Sequence, residues 1–286
     1  NHNKNDTINR LIKVLGSDGK LVLKKNQTVY HVNMCEKLLV LLLAKLSNFI
    51  PNGGIWMNTQ RPEWNDANNA LVGYGLSMVT VGYLKRFISF FIDILKTNTE
   101  TSFKISFEVI NWFKKVNEIF SNKIEKIDSF NPKTLMSFVA EMGIASSDYR
   151  TQVYQFGFKK KSNLDKELIL EFLTKSNTFL KKTIKSNLNK DNLYNAYNIL
   201  KINLDKNEMK IEGLYPMLEG QVSTLSSGAL KPEESINILK SIFKSKLYRK
   251  NQNSFLLYPE PSFKYFLEKN IIPKNIIKSN TIFNKI

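Results

Sequence analysis

At 286 residues, 42% hydrophobic and 12% aromatic, the chain can bury a large core and is too apolar to be disordered. Its longest aliphatic run, 38–44, is seven residues, far short of the roughly 20 that span a bilayer. The net charge of +17 is a weak nucleic-acid footprint, because only five of the 42 basic residues are arginines, and arginine's planar fork is what reads phosphates and guanine edges.

Lysine enriched together with Asn and Ile is what an AT-rich genome produces, so nucleic acid is not the expected partner. Cys35 is the single cysteine, which excludes an internal disulfide. With only His2 and His31 beside it, a structural zinc site lacks ligands, and no metal or cofactor is expected. The first ten residues do not read as a secretory signal, and a cytoplasmic location is expected. The chain opens without an initiator Met, as a piece of a longer protein with an upstream domain would.

In chain order, 20–23 and 28–32 alternate as a short β-hairpin around Lys24–Gln27. Segment 34–49 is apolar almost all round, as a buried helix is. Helical spacing then runs over 67–95 and 102–124. Pro132 opens a helix toward Met142, and 147–156 and 164–184 continue the pattern. Lys231-Pro232-Glu233-Glu234 starts another, with proline and carboxylates in its first turn. No strands alternate with helices, so a doubly wound sheet is not expected. The lysine-rich stretches 159–161 and 181–190 read as exposed faces and turns, and the last dozen residues as a fraying end.

Four polar-aromatic islands interrupt this background. The first runs from Trp56 through Arg61, Glu63, Trp64, Asn65 and Asp66 to Asn69, ahead of a helix. Indole faces stack on sugar rings while amides and Arg hydrogen-bond hydroxyls, so the mix suits a carbohydrate. Asp66 also stands where a helix N-cap belongs. The second island, Glu212 to Val222, holds Gln221 and two further carboxylates, Glu219 and Glu212. Met217, Leu218, Val222 and Leu225 share a helix face, which leaves Glu219 either on the solvated side or in a site. The third, Ser146 to Arg150, reads as a helix start. The fourth combines Tyr194 to Asn198 with Tyr248 to Asn253, either sugar contacts or turns over packed tyrosines.

Glu63-Trp64-Asn65-Asp66-Ala67-Asn68-Asn69, followed by Gly73-Tyr74-Gly75-Leu76-Ser77, resembles the Asp-Trp-Asn-Asp segment of cellobiose- and chitobiose-type phosphorylases of the six-hairpin glycosidase superfamily. The resemblance implies an all-α fold, an (α/α) toroid of helical hairpins. Long helices leave room for roughly nine or ten of the twelve a full ring needs, so an incomplete toroid in a single domain over 1–286 is expected. It also implies that Glu63 is the general acid, with Trp64, Asn65 and Asp66 in the sugar site. The acid is Glu where the family has Asp. Both histidines precede the motif, so the phosphate-site histidine of those phosphorylases has no counterpart, and hydrolysis is expected rather than phosphorolysis. An inverting hydrolase needs a second carboxylate roughly 6.5–9.5 Å away, for which Glu219 is the first candidate and Glu212 the second. Trp56, Arg61 and Gln221 complete the expected contacts to an oligo- or polysaccharide. A non-catalytic module binding glycan or protein through the same loops is the alternative.

Overall fold

A computed structural model describes residues 2–57, 70–124, 129–259, 264–279 and 281–282. The helices are α1 (His2–Leu15), α2 (Met34–Leu46), α3 (Met78–Thr97), α4 (Phe107–Lys123), α5 (Pro132–Phe156), α6 (Lys166–Ser186), α7 (Leu218–Ser226), α8 (Pro232–Lys244), α9 (Phe266–Lys269) and α10 (Lys274–Ser279). Between them lie β1 (Phe49–Ile50), β2 (Gly54–Trp56), β3 (Gly75–Ser77), β4 (Ser102–Ser106), β5 (Lys161–Asp165), β6 (Tyr197–Asn203), β7 (Glu208–Gly213), β8 (Tyr248–Arg249) and β9 (Ser254–Phe255). An antiparallel five-stranded sheet runs β1-β2-β3-β6-β7, and β4–β5 and β8–β9 form two-stranded sheets. The molecule is therefore mixed α and β, and the expected all-α (α/α) toroid is corrected.

The strands escape a periodicity reading for physical reasons. β1, β2 and β3 are two or three residues each and buried on both faces, so no apolar–polar alternation marks them. Gly73 at φ 89° breaks the helix expected over 67–95, and Ser77 caps α3 by accepting from the Thr80 N–H at 3.0 Å. β4 and β5 run straight into α4 and α6, so their residues read as first helical turns. Residue by residue, however, Ser102 pairs with Asp165 and Ser106 with Lys161. The expected N-terminal hairpin is reduced to a bridge between Leu23 and Val29, closed by Lys24 N–H donating to Thr28 O at 2.8 Å. The segments read around Pro132 and Ser147 are one 25-residue helix, α5, which Gly143 does not interrupt.

One apolar core joins the helices to the sheet. Leu39, Leu42, Leu43 and Leu46 of α2 are fully enclosed, as the apolar run implied. Phe120 lies at the centre, its ring 4.7 Å from that of Phe179, 5.8 Å from Phe138, 6.0 Å from Phe172 and 6.4 Å from Phe49. α3 meets α7 at Gly82, where an added Cβ would lie 2.7 Å from the Ser223 carbonyl oxygen. One turn on, buried Lys85 donates to the carbonyls of Ser227 and Gly228 at 3.3 and 3.2 Å and tethers the end of α7. Burial, then the charge of Lys181, lowers its pKa. The C-terminal helices α9 and α10 bury no side chain.

Candidate functional site

The first island is the connection between two hydrogen-bonded strands, β2 and β3. Its ends are pinned together: Met57 N–H donates to Gly75 O at 2.9 Å, and Gly73 N–H donates to Met57 O at 2.6 Å. The half-buried Trp56 indole N–H donates to Gly73 O at 3.0 Å, and the Tyr74 hydroxyl donates to Ala70 O at 2.7 Å. Trp56 thus ties the end of β2 to the turn before β3. Arg61, Glu63, Trp64, Asn65 and Asp66 lie outside the described residues.

The residues flanking that segment meet the second and fourth islands. Met57 and Leu71, one at each end of the connection, pack in a small cluster with Ala196, Tyr197, Leu214 and Met217. Glu219, two residues beyond Met217, sits half-buried in the first turn of α7, where the helix dipole favours a carboxylate. Gly220 lets this turn approach the sheet, since a Cβ there would lie 2.8 Å from the Ala196 backbone nitrogen. Gln221 is a strut. Its Oε1 accepts from Tyr194 N–H at 2.8 Å, and its Nε2 donates to Tyr194 O and Met217 O at 2.7 and 3.0 Å. Fully enclosed, that amide fixes α7 to the turn before β6, whereas a contact with sugar was expected of it. Glu212 lies on the exposed face of β7 beside Lys201, 3.6 Å away.

The fourth island's amides form an internal network as well. Asn198 Nδ2 donates to Gly53 O and Asn187 Oδ1, both at 2.7 Å, and Asn195 Nδ2 donates to Asn198 Oδ1 at 3.0 Å. Asn187 in turn donates to Asn52 O at 2.9 Å and Thr183 O at 2.8 Å. Tyr194 and Tyr197 are buried beneath. Tyr194 to Asn198 thus forms a turn and strand start over packed tyrosines, while in the island's other half the half-buried Tyr248 donates its hydroxyl to Asn253 Oδ1 at 2.8 Å.

A separate polar seam lies where β4 enters α4. Glu36 of α2, 1% exposed, accepts from Ser106 N–H at 3.0 Å, and the Ser106 hydroxyl shares a 3.0 Å hydrogen bond with Tyr30. Glu108, 4% exposed, accepts from Lys159 N–H at 3.2 Å through Oε1. Nearby, Trp112 and Tyr149 stack at 4.3 Å. Burial foremost, then the charges of Glu36 and Glu108, pushes Tyr149 up to about 12. Burial foremost, then Glu36, likewise raises the Cys35 thiol to about 12, an inert setting. The third island, read as a helix start, lies inside α5 instead, with Asp148 paired to Lys115 at 2.6 Å and Arg150 donating to Ser147 at 3.2 Å. Neither buried carboxylate is singled out by sequence. The available signal is a Glu inside an otherwise apolar stretch, ahead of Leu38 to Ala44 for Glu36 and before Val109 and Ile110 for Glu108.

Among the described residues, no group of three His, Cys, Asp or Glu side chains comes together as metal ligands. None of the described helices is long and apolar enough to cross a membrane. No family model matches the chain, and no curated protein matches it.

Proposed function

We propose that this chain is a carbohydrate-active domain that cleaves a glycosidic bond by an inverting general acid/base mechanism. In this reading Glu63 protonates the leaving oxygen and Glu219 activates the attacking water from the opposite face. Trp64, Asn65, Asp66 and Arg61 hold the sugar, with Arg61 turned away from Glu63 so that the acid keeps its proton. The observation that carries it is the shared root of the two islands. Met57 and Leu71, on either side of the segment bearing Glu63, share one apolar cluster with Met217, two residues before Glu219.

A second reading is a glycan-binding module without turnover. The mixed sheet-and-helix fold favours it, because the resemblance that supplies the acid also implies a toroid. Incubating the whole chain with cello-, chito- and malto-oligosaccharides, and following both new reducing ends and binding heat, separates the two. Hydrolysis predicts new reducing ends of inverted configuration. Glu63→Gln and Glu219→Gln should each then lower turnover by about 10²–10⁴-fold with little change in affinity. Binding heat without cleavage supports the module, and neither signal overturns both readings.

A further inference from the structure

The geometry points to a second small-molecule site, in the cleft between α4 and α5, that takes a neutral saccharide of one or two rings. The cleft has a volume of about 380 Å³, and its polar lining comprises Glu108, Asn111, Gln152 and Tyr149 together with Lys114 and the Lys115–Asp148 ion pair. That lies within the roughly 300–1,000 Å³ range of small-ligand pockets. Only its Asp148 and Tyr149 come from the islands, and from the third, which the proposed glycosidase reading leaves unused.

Two polar atoms of the lining residues lack partners. Glu108 Oε2 and the Trp112 indole nitrogen are buried and hydrogen-bonded to nothing among the described residues. Their residues are 4% and 3% exposed, one helical turn apart on α4. A buried carboxylate oxygen without a donor and an indole N–H without an acceptor are each costly to leave so.

The pairing selects the ligand chemistry. An ammonium group could donate to Glu108 but cannot accept from Trp112. A carboxylate or phosphate could accept from Trp112 and would be drawn by Lys114, but at the indole it meets Glu108, one helical turn away, and Lys115 is already paired with Asp148. Hydroxyls donate and accept, so one hydroxyl or an adjacent pair answers both atoms at once. Around them stand the side-chain amides of Asn111 and Gln152 for the remaining hydroxyls, and the stacked Trp112–Tyr149 pair as an apolar wall. Both atoms are covered, so a ligand that reaches them must displace side chains of the lining. Trp112 should therefore sense occupancy directly.

The test labels the whole chain with 5-fluorotryptophan and titrates glucose and cellobiose, with tetramethylammonium chloride and sodium phosphate as contrasts. Trp56, Trp64 and Trp112 are the three tryptophans, assigned by single Trp→Phe variants. The expected result is a saturable shift of the Trp112 fluorine signal with a saccharide. Glu108→Gln and Trp112→Phe should each weaken binding about tenfold, read by calorimetry, and Glu63→Gln should leave the Trp112 response intact. A response confined to Trp56 or Trp64 overturns this site while leaving the proposed function standing. A Trp112 shift with tetramethylammonium or phosphate but not with sugar overturns the ligand class. If either variant fails to fold, the wild-type Trp112 response decides alone.

Discussion

Around Phe120 the chain packs ring against ring, whereas around Asn198 it packs amide against backbone carbonyl. The first region is helical, joined by aromatic and aliphatic faces of α2, α4, α5 and α6. The second joins α6, α7 and the five-stranded sheet through Asn187, Asn195, Asn198, Gln221 and close glycine contacts. Apolar packing is non-directional and tolerates repacking. A hydrogen-bonded network fixes distances and angles, and suffers when one member is lost. Met57 and Leu71, which flank the segment bearing Glu63, belong to the second region, where Asn198 also holds the Gly53 carbonyl just before β2.

The largest expected effect tests the first regime. Phe120 is fully enclosed and touches four other phenylalanine rings. Phe120→Ala should destabilise the chain by about 3–5 kcal/mol in urea unfolding. Next comes Asn198→Ala, which leaves the Gly53 carbonyl, Asn187 Oδ1 and Asn195 Nδ2 short of a partner. A loss of about 2–3 kcal/mol is expected, with the unfolding slope unchanged if both regions belong to one cooperative unit. Should Asn198→Ala cost more than Phe120→Ala, the strand-rich end holds the fold and the comparison inverts. A changed slope would instead divide the chain into two units.

The same contrast explains what sequence alone made legible. Leu39, Leu42, Leu43 and Leu46 announce α2 because a buried helix is a long apolar run. Pro132 and Pro232 mark the starts of α5 and α8 because proline fits a first turn. The sheet leaves no such trace, since Gly75, Leu76 and Ser77 are all buried and pair through backbone atoms. A usable signal lay in β6 and β7, where Ile202, Met209 and Ile211 flank a turn ending at Asn207, at φ 52°. At the candidate site, the islands' residue types were legible but their neighbours were not. Gln221 and Asn198 have the chemistry of sugar contacts and serve as struts, a distinction that depends on which backbone groups the fold leaves beside them.

The smallest effect at neutral pH concerns the polar seam that crosses the helical region. Tyr149→Phe keeps the ring stacked on Trp112 and should change stability little at pH 7. At alkaline pH the two proteins should part. Burial, reinforced by Glu36 and Glu108, holds Tyr149 at about 12 in the folded chain, against about 10 when unfolded. Between those values the unfolded chain has released a proton that the folded chain retains, so raising the pH favours unfolding. The stability Tyr149 confers is thus complete below pH 10 and is lost as pH climbs toward 12. Lysines titrate in the same range, but they are common to both proteins and cancel in the difference. Cys35, also held at about 12, acts in the same direction, so the comparison is cleanest in a Cys35→Ala background. Wild type should lose stability faster than Tyr149→Phe above pH 10. The difference in phenolate absorbance between the two isolates this residue among the eleven tyrosines. A difference curve titrating near 10 would mean that water reaches the Tyr149 hydroxyl freely and that burial in this seam does not govern its proton.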